Sequence, residues 1–248
     1  MNIVVCISSV PDTTAKINFT DNGSKFDANG VQFVINPYDE FGLTKAMMLK
    51  EEIGGKVTVI TVGNSTVEPV MRKSLAIGAD AAVRINMNAT DSYSTAREIV
   101  NYLNNNPADI IITGRESIDY NGGAVGGMIA EMMNLPFVNA CNGLEISGNT
   151  AKLTREIDGG KENITAELPF VIGGQKGLVL ESELRIPNMR GIMQARSKPL
   201  EVVETSSTEG LTSSVNFEKP VEKEACKLVD ADNVAELVNL LQNEAKVI

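Results

Sequence analysis

Five short β-rich runs, at residues 3–7, 31–35, 57–62, 81–85 and 109–113, alternate along the first half of the chain with stretches of helical apolar spacing. No other feature limits the fold as strongly. Runs that are apolar at successive positions fit strands covered on both faces, and parallel neighbours need a crossover long enough for a helix. The pattern predicts a doubly wound, mostly parallel α/β sheet of Rossmann-like type, whose ligands bind outside the carboxyl ends of the strands.

The helix ends are marked as clearly as the strands. Asn36 offers a cap, Pro37 suits the first helical position, and Asp39 and Glu40 meet the positive end of the helix dipole. Ala46, Leu49 and Ile53 follow at helical spacing before Gly54 and Gly55 stop the helix. Residues 66–76 predict a second helix closed at Gly78, Asp91 or Ser92 caps a third running to about Leu103, and a fourth covers residues 124–133.

Beyond residue 144 the pattern changes. Residues 144–146, 151–157 and 164–172 read as strands, with Asp158, Gly159 and Gly160 as the turn of a β-hairpin added to the sheet. Residues 181–221 are rich in Ser, Thr, Pro and charge and are expected to wrap a surface. Val234, Leu237, Val238 and Leu241 put an apolar stripe on a C-terminal helix. The expected organisation is an α/β domain over 1–180, a partner-facing loop and linker over 181–229, and a helical arm over 230–248.

Charge and composition narrow the function. The chain of 248 residues carries 22 basic and 32 acidic side chains, a net charge of −10 without a basic cluster, which argues against nucleic acid and anionic membranes as partners. There is no histidine, so Ser-His-Asp and Cys-His catalysis and His-containing metal sites are excluded. Cys6, Cys141 and Cys226 lie too far apart in sequence for a CxxC redox pair or a thiolate cluster. The N-terminus lacks a basic n-region and a long apolar run, so neither a signal peptide nor a membrane anchor is expected, and the cytoplasm is the default location.

The most informative local feature is a strand, a glycine-bearing loop over 114–123, and a helix beginning near Ala124. Backbone amides of Gly123, Ala124, Val125 and Gly126 would face a phosphate at the helix N-terminus. No Gly-Lys-Ser/Thr follows and the spacing is not GxGxxG, which argues against phosphoryl transfer and a standard dinucleotide site. On spacing alone, a structural turn is as good a reading as a phosphate site. Asn36 reads first as a helix cap, Cys6 as a small buried hydrophobe, and the run Arg155, Glu156, Ile157, Asp158 as a solvated hairpin. With neither a nucleophile–base pair nor a carboxylate dyad, the residues themselves point to a nucleotide-binding protein without chemistry of its own.

Taken in order, several motifs resemble those of the electron transfer flavoprotein β-subunit family across essentially the whole chain. They are Val10, Pro11, Asp12; Asn36, Pro37, Tyr38, Asp39, Glu40; Leu75, Ala76, Ile77, Gly78, Ala79, Asp80; the stretch 114–127; Arg155, Glu156, Ile157, Asp158, Gly159, Gly160; residues 185–192 with Met193 and Ala195; and the ending Glu244, Ala245, Lys246, Val247, Ile248. The resemblance implies a heterodimer that serves electron transfer, as in fatty acid oxidation, with a redox-active FAD in an α subunit and a structural AMP in β. It places the phosphate on Gly123, Ala124, Val125 and Gly126, with Asp119 shaping the loop, and the adenosine near Cys6, Asn36, Val62 and Gly63. It also implies docking of acyl-CoA or other dehydrogenases through residues 183–192, including Leu184, Arg185, Met189 and Ile192, with Met189 where relatives carry a plugging leucine. Glu156 would help to orient the flavin domain of α, and the C-terminal arm would reach over to α. Bifurcating members hold a second FAD in place of AMP, an alternative that remains open at this point. The phosphate loop here is also less polar than in many members. A stand-alone nucleotide sensor or hydrolase is disfavoured by the missing Walker lysine and histidine.

Overall fold

The computed structural model describes residues 1–206, 208–222 and 225–248. Strand β1 (Asn2–Cys6) opens the chain and is followed by an excursion of two small hairpins, β2 (Ser9–Pro11) with β5 (Phe33–Ile35) and β3 (Phe19–Thr20) with β4 (Lys25–Phe26). The alternating core continues as α1 (Pro37–Ile53), β6 (Lys56–Val62), α2 (Glu68–Ile77), β7 (Ala81–Asn86), α3 (Ser92–Leu103), β8 (Ile110–Gly114) and α4 (Val125–Met133). Then come β9 (Phe137–Ser147), β10 (Thr150–Ile157), β11 (Gly160–Glu167), β12 (Phe170–Gly174), α5 (Met189–Ala195), β13 (Leu200–Glu204) and α6 (Val234–Asn239).

Among the described residues one nine-stranded sheet has the order β11-β10-β9-β12-β8-β1-β6-β7-β13. Pairing is parallel from β9 to β13 and antiparallel for β10 and β11, so the predicted doubly wound sheet and its added hairpin are both present. The run at 31–35, expected as a strand of that sheet, instead forms β5 and pairs antiparallel with β2 outside it, because the excursion after β1 turns back on Ser9–Pro11 before α1. One core layer packs α1 and α2 on the sheet through side chains such as Leu43, Leu49, Met71 and Leu75. The opposite layer packs α3 and α4 through Ile99, Leu103 and Ile129. The chain winds one way from β1 through β6 to β7 and the other way from β8, which leaves a crevice between the carboxyl ends of β1 and β8.

Several motifs acquire a physical reason here. In the run Leu75 to Asp80, Gly78 takes the positive φ of 147° that ends α2. Asp80 then accepts from Lys50 Nζ at 2.5 Å and from the Val57 amide at 2.8 Å, pinning the end of α1 to the start of β6. Gly159, at φ 83°, makes the turn of the β10–β11 hairpin. Asn36 precedes α1, but its carbonyl rather than its side chain accepts the first helical amides, those of Asp39 and Glu40.

Four boundaries differ from the sequence reading. The strand expected over 164–172 is two strands, because Pro169 has no N–H for a ladder and the chain there passes from the antiparallel edge to a parallel interior position between β8 and β9. The strand expected over 144–146 extends back to Phe137, hidden by Asn139, Asn142 and Gly143. The segment 181–221 contains α5, packed on α2, and the sheet's edge strand β13, where a loose wrap was expected. The terminal helix is shorter than its apolar stripe: α6 is followed by a π-type turn over Leu240–Glu244, with Val234 62%, Leu237 44% and Val238 44% exposed. Among the described residues no helix is long and apolar enough to cross a membrane.

Candidate functional site

A cleft of about 480 Å³ opens at the crevice between β1 and β8, a size suited to a small organic ligand. Its floor is the carboxyl end of three strands, contributed by Cys6, Ile60, Val62 and Thr113. One wall is the loop from Gly114 to Ala124 with the first turn of α4, and the other is the approach to α3 from Ala89 to Ser92. Of the residues expected to hold a nucleotide, Cys6, Val62, Asp119, Gly123, Ala124, Val125 and Gly126 line this cleft.

The two helices that point into the cleft differ at their N-termini. On α3, Asp91 Oδ1 accepts from the Ser94 amide and hydroxyl, both at 2.8 Å, so that end carries a negative cap. No side chain caps α4, whose N-cap is Ala124. The first amides of a helix have no partner within it, so those of α4 are available to an anion in the cleft. Gly126 lets this turn approach the sheet, since a Cβ there would stand 2.6 Å from Thr113 Oγ1. Gly123 turns into the helix at φ 58°, with no side chain to cross the opening.

The loop is held from beneath. Asn36 is fully buried, and its Nδ2 donates to Glu116 O at 2.8 Å and Asp39 Oδ1 at 3.0 Å, while its Oδ1 accepts from the Ile118 amide at 3.3 Å. Its amide is thus engaged under the loop, between α1 and the cleft wall. Asp119 Oδ1 accepts from Ser117 Oγ at 2.5 Å and from the Tyr120 amide at 2.9 Å, which folds the outer loop. Gly63 lies beside the cleft, where its amide donates to Ile85 O and its carbonyl accepts from Arg84.

Sequence reasoning missed several charged residues of the site, Asp39 and Arg115 among them. Asp39, expected only to favour a helix dipole, lines the cleft yet is 2% exposed and accepts from the Ser8 amide at 2.7 Å. Burial raises its carboxyl to about 7 against the lowering effect of hydrogen bonds from Ser8, Asn36 and Gly114. Nothing in the spacing marks such a group. Arg115 is the cationic side chain among the described residues lining the cleft; it lies over the Tyr38 ring at 5.9 Å and donates to Gln175 Oε1 at 3.3 Å. Cys6 is buried on the floor, and burial pushes its thiol above the ordinary range, with the Asp39 charge adding to the effect, so it is not poised as a nucleophile. Among the described residues, no His, Cys, Asp or Glu cluster could hold a metal ion.

The positions expected to meet partners lie elsewhere. Glu156 is exposed on β10 and accepts from Gln175 Nε2 at 2.5 Å, while Arg155 pairs across the hairpin with Glu162 at 2.6 Å. Leu184 packs against the core, and Arg185 makes a two-pronged pair with Glu51 at 2.7 and 2.6 Å. Those two fasten the loop to α1. Met189 (75% exposed) and Ile192 (42%) face outward on α5 beside Met193 and Ile186.

This arrangement has counterparts among known proteins. The Electron transfer flavoprotein domain matches residues 24–208. The chain belongs to the electron transfer flavoprotein family. It is 36% identical over 262 residues to the electron transfer flavoprotein subunit beta of Bacillus subtilis (strain 168), covering 100% of both chains. To the subunit of the same name from Syntrophomonas wolfei it is 32% identical over 252 residues, covering 100% of this chain and 98% of the relative. The acryloyl-CoA reductase electron transfer subunit gamma of Anaerotignum propionicum is 32% identical over 210 residues, covering 82% of this chain and 78% of its own. As a β-type member of the electron transfer flavoprotein family, the chain is an electron-transfer protein rather than an enzyme in its own right.

Proposed function

We propose that this chain is the β subunit of a heterodimeric electron transfer flavoprotein, that its cleft holds AMP as a structural group, and that it scaffolds an FAD-bearing α subunit through which electrons pass between dehydrogenases and an acceptor. The uncapped N-terminus of α4 facing the cleft is the observation that carries the nucleotide assignment. The charges favour a single phosphate. Arg115 stands among Asp39, Asp91, Glu116 and Asp119, and without a lysine such a cleft offers poor compensation for a triphosphate. The apolar end formed by Ile60, Val62, Val67 and Ile99 suits an adenine ring, with the phosphate on Gly123, Ala124, Val125 and Gly126.

In this reading the residues bind and orient, and they move no electrons. The flavin supplies the redox chemistry from the α subunit; this chain's part is to hold α in place through Glu156 and the arm over 230–248. Met189 and Ile192 would offer α5 to a dehydrogenase, acyl-CoA or other. Methionine is flexible enough to replace a branched plug there. The organisation into 1–180, 181–229 and 230–248 would serve these tasks with α5 and β13 counted to the α/β unit, and the cytoplasm is the compartment that suits them.

A second reading has one observation in its favour, the likeness to an electron transfer subunit of acryloyl-CoA reductase. It puts a second FAD in the β cleft and makes the complex electron-bifurcating. Co-expression with the α subunit, denaturation of the purified complex and chromatography of released nucleotides separates the two. One FAD with one AMP is the expected result. Two FAD without AMP establishes the second reading, and failure to co-purify with α overturns both.

A further inference from the structure

After β13 the chain does not leave the domain. The carboxylate of Glu98 on α3, 2% exposed as a residue, accepts from the Ser206 amide at 3.0 Å, the Ser206 hydroxyl at 2.6 Å and the Thr208 amide at 3.1 Å. About two helical turns nearer the cleft, Asp91 uses the oxygen not committed to its cap. Asp91 Oδ2 accepts from the Leu211 amide at 2.7 Å and the Thr212 amide at 2.9 Å. At Gly210 the backbone passes so close that a Cβ would meet Thr90 Oγ1 and Asp91.

The next residues, Thr212, Ser213 and Ser214, line the nucleotide cleft. The chain is then gripped on the excursion that follows β1. Phe217 stacks on Phe19 with ring centroids 5.2 Å apart, its amide donates to Gly23 O at 2.7 Å, and Lys219 Nζ donates to Asn18 Oδ1 at 2.8 Å. Residues 208–217 are therefore tied on both sides of a stretch that runs along the opening. A segment that merely linked a domain to an arm would need neither tie.

We infer that residues 208–217 are a strap forming the closing wall of the nucleotide site, that Ser213 and Ser214 present hydroxyls to the bound nucleotide while Thr212, whose hydroxyl donates to Asp91 Oδ2 at 3.3 Å, anchors the strap, and that the nucleotide exchanges only when the strap is released. The inference rests on the cleft being a nucleotide site and adds the residues that control its occupancy. The ties persist at neutral pH. Hydrogen bonds from Ser94, Thr212 and Leu211 hold Asp91 well below the usual carboxylate range. Burial pushes Glu98 up, but hydrogen bonds from Ser206 and Thr208 outweigh it and leave the group at about 2. Because the strap lacks regular secondary structure, it can lift without breaking the sheet or a helix.

Glu98 and Phe217 lie outside the cleft lining, so substitutions there loosen the strap without removing a ligand contact. The test uses the full chain in complex with its α subunit, with a fluorescent AMP analogue as probe, and follows association and displacement by stopped flow in wild type, E98Q and F217A. A strap that must lift slows both directions, so E98Q is expected to release the probe about tenfold faster, the factor set by loss of one charge-assisted hydrogen bond, F217A to release it faster through loss of the ring stack, and both to take it up faster. Hydrogen exchange at the Leu211 and Thr212 amides should accelerate in parallel. Unchanged rates in both variants, or faster release with unchanged uptake, overturn the strap. Wild-type complex that takes up no AMP analogue and retains no adenine nucleotide overturns the binding reading, and the strap with it.

Discussion

At Asp39 the local chemistry makes a prediction with a definite sign. The folded state raises this carboxyl from 3.8 to about 7 by burial, and so keeps a proton that the unfolded chain has already released. Between those values stability must fall as pH rises, by about 4 kcal/mol in all at 1.36 kcal/mol per unit. Carboxylates lowered by hydrogen bonds, Asp91 and Glu98 among them, act in the opposite sense and lose their contribution as pH falls toward their folded values. Comparing wild type with D39N cancels them. Urea unfolding of both proteins at pH 4.5 and 7.5 should therefore show D39N gaining on wild type as pH rises, and a constant difference would refute the buried-acid assignment. Gly123 gives a second prediction. Its φ of 58° and the Arg115 carbonyl, 3.4 Å from where a Cβ would lie, make valine there strained by roughly 1–3 kcal/mol. G123V should leave purification with less bound nucleotide than wild type, measured after denaturation, and full retention would remove this loop from the phosphate site.

Between elements, α2 and α5 cap each other. Arg72 NH1 donates to the carbonyls of Ala195 and Lys198 at 2.8 Å, and Lys198 Nζ donates to the carbonyls of Leu75 and Ala79 at 2.9 and 2.7 Å. These bonds complete orphan carbonyls at two helix ends, each bond to a charged group contributing about 1.5–3 kcal/mol. R72M keeps most of the apolar stem, so it should destabilise the chain by about 2 kcal/mol in denaturant and weaken any partner held by Met189 and Ile192; an unaltered midpoint would show that α5 is fixed by other contacts. Reading the sequence alone found α1 to α3 to within a few residues because each carries its own cap or glycine stop, as at Asp91 and Gly78, and found α4 from the glycine loop that precedes it. It did not find α5 and β13, since a seven-residue helix and an edge strand beside polar residues owe their form to Arg72 and to pairing with β7. The site divided in the same way. The glycine loop before α4 was legible from local pattern, while Asp39, Arg115 and residues 212–214 reach the cleft by contacts distant in sequence.

For the whole molecule, two regions of exposed apolar surface lie away from the cleft. One is α5 with the loop before it, with Ile186 85% and Met189 75% exposed. The other is the terminal arm, where Val247 is 68% exposed and Val234, Leu237 and Val238 share one side of α6. An amphipathic helix in water loses the burial that sustains short helices, so this arm requires a second surface to be stable. The strap ties at Gly23 and Asp91 end before the arm begins, which makes the arm separable from the cleft. Removing residues 230–248 should consequently leave the unfolding free energy of the isolated chain within about 0.5 kcal/mol, as expected of changes outside the core. Association with the α subunit should nevertheless fall below detection at micromolar concentration in size-exclusion chromatography. Intact association would transfer the gripping role to the hairpin around Glu156, whereas a large loss of stability in the isolated chain would mean that the arm is already part of this domain's own core.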